Sequence, residues 1–199
     1  AAMAEPISCC LHGIDLCNIK SGCTVLVMGG GPIGMIMMQL AKNAGAARVI
    51  MSEPVEEKRQ QALKLGATKV INPMEEDVQA VLNDYCENVD VVIECVGNIH
   101  TQADAVKFAG KGATVMYFGL ASPEDSYPLR PDDVFKKELT ITSSFINPYT
   151  FERAIRVLES GMIELESLIT NVVPLDNIVD VFTKPEYRRA GKAMIKIAD

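Results

Sequence analysis

The chain has 199 residues, 48% of them apolar, which is enough to bury one sizeable core and sets an expectation of one to two domains. Its formal charge of −7 argues against a nucleic-acid or anionic-membrane partner, because phosphate binding relies on clustered Lys and Arg. No basic cluster occurs beyond pairs such as Lys136-Lys137 and Arg188-Arg189, which read as solvated faces.

The opening Ala1-Ala2-Met3-Ala4-Glu5-Pro6 has no basic segment followed by an apolar stretch, so no secretory signal is expected. Residues 5–19 read as a helix leading into a first strand, 25–28. Residues 21–41 hold no charge and have the length of a membrane span. Gly29, Gly30, Gly31, Pro32 and Gly34 interrupt that run where the pattern turns from strand to helix, which argues against a span. Within Gly29-x-Gly31-x-x-Gly34 each glycine has its own reason to lack a side chain. The first makes a tight turn, the second lets a phosphate approach the backbone, and the third lets helix pack on strand. Pro32 suits the first helical turn, where Ile33 and the residues beside it offer free N–H groups and the positive end of a dipole to an anion.

The helix 33–44 ends at Gly45, and a second strand, 48–52, follows. It runs into Glu53, 19 residues after Gly34, where an acid accepts hydrogen bonds from ribose hydroxyls. That carboxylate favours NAD, because a 2′-phosphate would meet a like charge. The alternative is that Glu53 caps the next helix, 55–65, which ends at Gly66. Beyond it come a strand at 69–71, a helix at 75–86, a strand at 89–95, a helix at 101–108 ended by Gly110, and strands at 114–118 and 139–143. Short Val- and Ile-rich strands separated by helices give an α/β fold: a doubly wound, six-stranded parallel sheet of order 3-2-1-4-5-6. Its first and fourth strands then lie side by side, and a dinucleotide crosses between Gly29-Gly30-Gly31 and Cys95-Val96-Gly97.

The termini read as pieces of something larger. A helix at 149–159 closed by Gly161 is followed by extended pieces at 168–169 and 172–174, a helix at 176–182 and a strand at 193–197. The expected division is a lead-in at 1–20, a dinucleotide-binding Rossmann domain at 21–145 and a returning segment at 146–199. The six cysteines contain no C-x-x-C pair, so reduced thiols and a cytoplasmic setting are expected. Tyr85, Tyr117, Tyr127, Tyr149 and Tyr187 have no lysine four residues on, which counts against a self-contained short-chain dehydrogenase with a Tyr-x-x-x-Lys pair.

The chain resembles the coenzyme-binding half of the zinc-dependent medium-chain alcohol and polyol dehydrogenases, in the sorbitol dehydrogenase-like branch. The likeness rests on Glu5-Pro6, on Val27-Met28-Gly29-Gly30-Gly31-Pro32-Ile33-Gly34, on Leu65-Gly66-Ala67 before Val70-Ile71-Asn72-Pro73, on Asp90-Val91-Val92-Ile93-Glu94-Cys95, on Lys137-Glu138-Leu139-Thr140 and on Gly191-Lys192. It implies that the glycine turn holds the pyrophosphate of NAD and Glu53 its adenosine ribose. Lys58 then lies near the adenosine and Lys192 reaches the pyrophosphate, although alone Lys58 reads as a solvated helix lysine. Backbone groups at Phe118, Gly119, Leu120 and Ser144 hold the nicotinamide. The resemblance also places Glu5 beside a catalytic zinc, as ligand or partner of its water; the plain alternative is an acid favoured by a helix N-terminus.

In that family a catalytic domain supplies cysteine and histidine ligands to a zinc that polarises the alcohol while hydride passes to the nicotinamide. Neither that ligand pattern nor a closely spaced cysteine quartet occurs in these 199 residues, and His12 and His100 do not replace them. The chain alone is therefore expected to bind NAD without turnover and to carry no catalytic residue of its own. Residues 145–149 contain no arginine, which weighs against sorbitol itself among alcohol and polyol substrates. The resemblance implies a homo-oligomer, dimer or tetramer. The competing reading is a non-enzymatic nucleotide-sensing Rossmann domain, against which stand Glu5-Pro6 and the C-terminal segment.

Overall fold

The computed structural model describes residues 2–197, with only the backbone of 188–190, so the reading of Arg188-Arg189 as a solvated face lies outside the described residues. Six strands, β1 (Thr24–Met28), β2 (Arg48–Ser52), β3 (Lys69–Ile71), β4 (Val91–Glu94), β5 (Thr114–Tyr117) and β6 (Thr140–Ser143), form one parallel sheet in the order β3-β2-β1-β4-β5-β6. The pairing puts Met28 level with Ser52 on one side and Glu94 on the other, so the carboxyl ends of β1, β2 and β4 open at one level. All of β1 is buried, because helices cover both faces of the sheet.

Alternate residues of each strand feed different cores. Val25, Val27, Met51, Ile93 and Met116 pack beneath α1 (Ala4–Cys17), α2 (Pro32–Asn43) and α7 (Phe151–Ser160). Leu26, Met28, Ile50, Val92 and Val115 pack against α4 (Val78–Tyr85) and α5 (Ile99–Phe108) on the other face. Helix α1 shares the first core through Ile7, Cys10, Leu11, Ile14 and Cys17. Helix α3 (Glu56–Lys64) flanks the β2–β3 edge. No helix among the described residues is long and apolar enough to cross a membrane, and the six cysteines are unpaired.

Several element ends differ from expectation for identifiable reasons. The helix expected at 75–86 begins at Val78, because Asn72 and Glu76 first build a turn and Asp77 caps the helix by accepting from Gln79 and Ala80 N–H. The helix expected from 149 starts at Phe151, since Tyr149 sits at φ +61°. Gly45, Gly66 and Gly161 adopt positive φ after their helices, whereas Gly110 does not. At Gly110 a Cβ would stand 1.9 Å from Asn88 Oδ1, and the end of α5 is closed by Lys137, whose Nζ donates to the carbonyls of Val106, Lys107 and Ala109.

Two short helices, α6 (Pro131–Lys137) and α9 (Pro185–Ala190), lack the length that periodicity needs and were not anticipated. The helix expected at 176–182 splits into a 3-10 turn and α8 (Ile178–Thr183). The extended pieces after α7 become β7 (Ile169–Pro174), which pairs in parallel with β8 (Lys192–Lys196) as a separate two-stranded sheet. Side-chain amides fasten the strap that leads into β7. Gln39, nearly buried on α2, both donates to Glu164 O (2.9 Å) and accepts from Glu164 N–H (2.7 Å). Asn43 holds Met162 O and Gln61 holds Ser167 O.

Replacing Gln39 by Leu strands both backbone groups of Glu164 and is expected to cost about 1–3 kcal/mol, read as a lower urea midpoint at unchanged slope. An unchanged midpoint would show that the strap is held elsewhere.

Candidate functional site

Gly29 leaves β1 at φ +97°, with its N–H on Ser52 O, and turns the chain toward the start of α2. Gly31 is the N-cap of α2 and Pro32 its first residue; no side chain caps this end and no acid sits in its first turn. The N–H groups of Ile33 and Gly34 therefore have no intrahelical acceptor. A Cβ on Gly34 would stand 1.8 Å from Gly29 O, so the helix lies against the turn that feeds it. A Cβ on Gly31 would meet nothing within 4 Å. Open space over a row of N–H groups at the positive end of a twelve-residue helix suits an anion the size of a diphosphate.

Beside this seat lies a cleft of about 620 Å³, which gathers Gly29, Gly31, Glu53, Cys95 and Val96. Glu53 is 5% exposed and both its oxygens are held, Oε2 by Gly30 N–H (2.6 Å) and Oε1 by Val55 N–H (2.9 Å). The N-cap of α3 is Val55, which has no side-chain cap of its own, so Glu53 both borders the cleft and accepts from the N–H just ahead of the helix. Arg59, buried on α3, donates to the carbonyls of Glu53 (2.8 Å) and Pro54 (2.6 Å) and pairs with Glu56, which fixes the backbone that carries the acid. The stacking of Glu53 over Gly30 leaves no room for a side chain there: a Cβ on Gly30 would lie 2.9 Å from Glu53 Cγ.

A second buried acid organises the facing wall. Glu94, at the end of β4, is fully buried and accepts from Val96 N–H (2.7 Å), Gly97 N–H (3.0 Å) and Thr101 Oγ1 (2.9 Å), while its carbonyl accepts from Phe118 and Gly119 N–H. Gly97 then comes close to the next turn, since its Cβ would be 2.7 Å from Leu120 O and a Cβ on Gly119 would overlap Gly97 N. Burial pushes the Cys95 thiol well up, which keeps it neutral beside Glu94. Gly97, Gly119 and Leu120 therefore adjoin the cleft without lining it. Phe118 turns its ring toward Gly13 of α1, while its N–H donates to Glu94 O at the end of β4. Ser144 Oγ is buried with no hydrogen-bond partner among the described residues, an acceptor and donor left open just beyond β6.

Pro32 and Lys58 border a narrower recess with Gly30, Gln61, Thr170 and Gly191 on the other side of the glycine turn. Lys192 begins β8 next to that recess, opposite Ile169. Glu5 lies apart, exposed in the first turn of α1, where it accepts from Cys9 Sγ at 3.2 Å. Among the described residues no three His, Cys, Asp or Glu side chains gather as metal ligands, so Glu5 has no companions here that fit a zinc ion. The open helix end, the empty space at Gly31 and the unpaired Ser144 hydroxyl do fit a dinucleotide. Arg59 escaped sequence reasoning, and Glu94 entered it only as the end of the fourth strand, without the role of its carboxylate. An acid closing an apolar strand is a signal for Glu94, but a buried arginine on a charged helix leaves none.

Residues 32–160 match the family model described as zinc-binding dehydrogenase. D-arabinitol dehydrogenase 1 of Uromyces fabae is 28% identical over 207 residues, covering 98% of this chain and 58% of its own. A solved protein assigned as a zinc-binding dehydrogenase from Sinorhizobium meliloti 1021, bound to NADP, superposes with a TM-score of 0.94 at 36% identity, over 98% of this chain and 58% of that one. A short chain alcohol dehydrogenase from E. coli CFT073 complexed with cofactor NADH superposes at 0.87 with 25% identity, over 98% and 58%. The chain thus spans a little over half the length of these relatives.

Substituting alanine at two glycines separates packing from the anion seat. Gly34→Ala is expected to cost about 3 kcal/mol or more, roughly 6–12 °C in melting midpoint for a chain of this length. Gly31→Ala, at φ −72°, should move it by less than about 2 °C. Calorimetric melting of both variants checks this, and equal losses would contradict it.

Proposed function

Because this chain belongs to the zinc-binding dehydrogenase family, we propose that it is the NAD(H)-binding unit of an alcohol or polyol dehydrogenase. The single observation that carries the reading is the open N-terminus of α2 over Gly31, beside a buried acid already aimed by Gly30 and Arg59. When bound, a nicotinamide dinucleotide supplies the acceptor for hydride from a carbinol carbon. The chain's own work is to hold and orient it. Ile33 and Gly34 N–H take the diphosphate, with Pro32 fixing the turn and Lys192 closing from β8. Glu53 accepts from the ribose diol, Lys58 stands at its rim, and the wall of Cys95, Val96 and Gly97 shapes the path across the sheet. Phe118, Gly119, Leu120 and Ser144 frame the nicotinamide end, where the open Ser144 hydroxyl supports a polar contact.

NAD is favoured over NADP on charge. Both Glu53 oxygens are fixed by backbone donors, so the carboxylate cannot swing away from a 2′-phosphate, and no arginine borders the cleft. Among the described residues only Glu5 is a candidate to stand beside a zinc ion, and no three His, Cys, Asp or Glu side chains gather there to hold one. The exposed edge of β6 supports a homo-oligomer. The unpaired thiols support a reducing, cytoplasmic setting.

Glu53→Ala is expected to weaken NADH binding roughly ten- to a hundredfold and to narrow the preference for NADH over NADPH. Calorimetric titration with both nucleotides reads each effect. Unchanged NADH affinity would return Glu53 to a purely structural role.

A further inference from the structure

Deepening the NAD(H) reading, and resting on it, we propose that Asp104 on α5 recognises the adenine base by accepting a hydrogen bond from its exocyclic amino group. The cleft runs well past the ribose acid. Behind Glu53 it continues between α4 and α5, bordered by Val78, Thr101, Asp104, Lys107 and Phe108, and its volume of about 620 Å³ leaves room for a base as well as a sugar. Val78 and Phe108 offer apolar surface to a ring face.

Four carboxylates border this cleft; three already accept main-chain hydrogen bonds, and the lone pairs left on Glu53 are those the ribose diol takes in the NAD(H) reading. Glu53 accepts from Gly30 and Val55 N–H, Glu76 from Asn72 N–H at 2.7 Å, and Asp77 from the first turn of α4. Asp104 is half-buried, and its carboxylate has neither hydrogen bond nor ion pair among the described residues. A carboxylate can only accept, and a partly desolvated one gains most from an incoming donor. Lys107, three residues on, borders the same cleft without an acidic partner, its Nζ lying 5.5 Å from the centre of the Phe108 ring. Acceptor and donor thus stand side by side on one helix face. Adenine's amino group sits next to ring-nitrogen acceptors on both edges that carry it, which matches this order. Hypoxanthine places a keto oxygen where Asp104 needs a donor.

The test compares NADH with reduced nicotinamide hypoxanthine dinucleotide by nicotinamide fluorescence on the purified protein, with circular dichroism confirming that each variant is folded. Wild type is expected to bind NADH at least about tenfold tighter, the scale of one charge-assisted hydrogen bond. Asp104→Ala should bring the two nucleotides within about twofold, by loss on the NADH side, while Asp104→Asn, whose amide also donates, should narrow the ratio by gain on the hypoxanthine side. Equal affinities in wild type, or an undiminished ratio in Asp104→Ala, would overturn the role of Asp104 and leave the coenzyme reading standing. No binding of NADH to wild type would overturn the coenzyme reading and this inference together.

Discussion

The contact between Gly34 and the carbonyl of Gly29 governs the rest of the structure. With a Cβ-to-oxygen distance of 1.8 Å for any larger residue, only glycine lets α2 descend onto the turn that leaves β1. That approach fixes the start of the helix at the carboxyl edge of the sheet, where β1 and β4 lie level. The unsatisfied N–H groups then lie at the crevice, and a helix dipole is aimed without any charged side chain. The packing of Val27, Ile36 and Met37 into one core holds the arrangement.

Around that seat the two buried acids act through the backbone. Glu53 and Glu94 close β2 and β4, and each carboxylate is held by main-chain N–H donors; Thr101 adds a hydroxyl to Glu94, while Arg59 donates to the main-chain carbonyl of Glu53. Buried carboxylates are costly unless fully hydrogen-bonded, and here the bonds also set the shape of the two turns that flank the cleft. Acids held in this way at both walls give the cleft a fixed shape, and a preformed cleft lowers the ordering cost of any ligand it takes. The strap held by Gln39 extends the same logic to the C-terminal layer: it leads into β7, whose partner β8 follows Gly191 at the recess shared with Pro32 and Lys58.

Much of this was legible in the residues. Alternation of Val- and Ile-rich runs with glycine-terminated helices carried the six-stranded order, and the spacing of Gly29, Gly31, Gly34 and Glu53 located the crevice, because those features are local and chemically specific. What stayed hidden depends on long-range contact. Lys137 closes α5 from the far side of a strand, Gln39 meets Glu164 across 125 positions, and Arg59 looks like any charged helix residue until its burial is seen. Asp104 carries no signal of its own in the sequence, because the absence of a partner for its carboxylate depends on where Glu53, Glu76 and Asp77 find theirs. The short helices α6 and α9 were missed because each has too few residues to show a period.

The most direct test is a crystal structure of the protein grown with NADH. The account predicts diphosphate density over the N–H groups of Ile33 and Gly34, with the adenosine ribose diol on Glu53. Density lodged elsewhere on the molecule, or a diphosphate turned away from the start of α2, would contradict it.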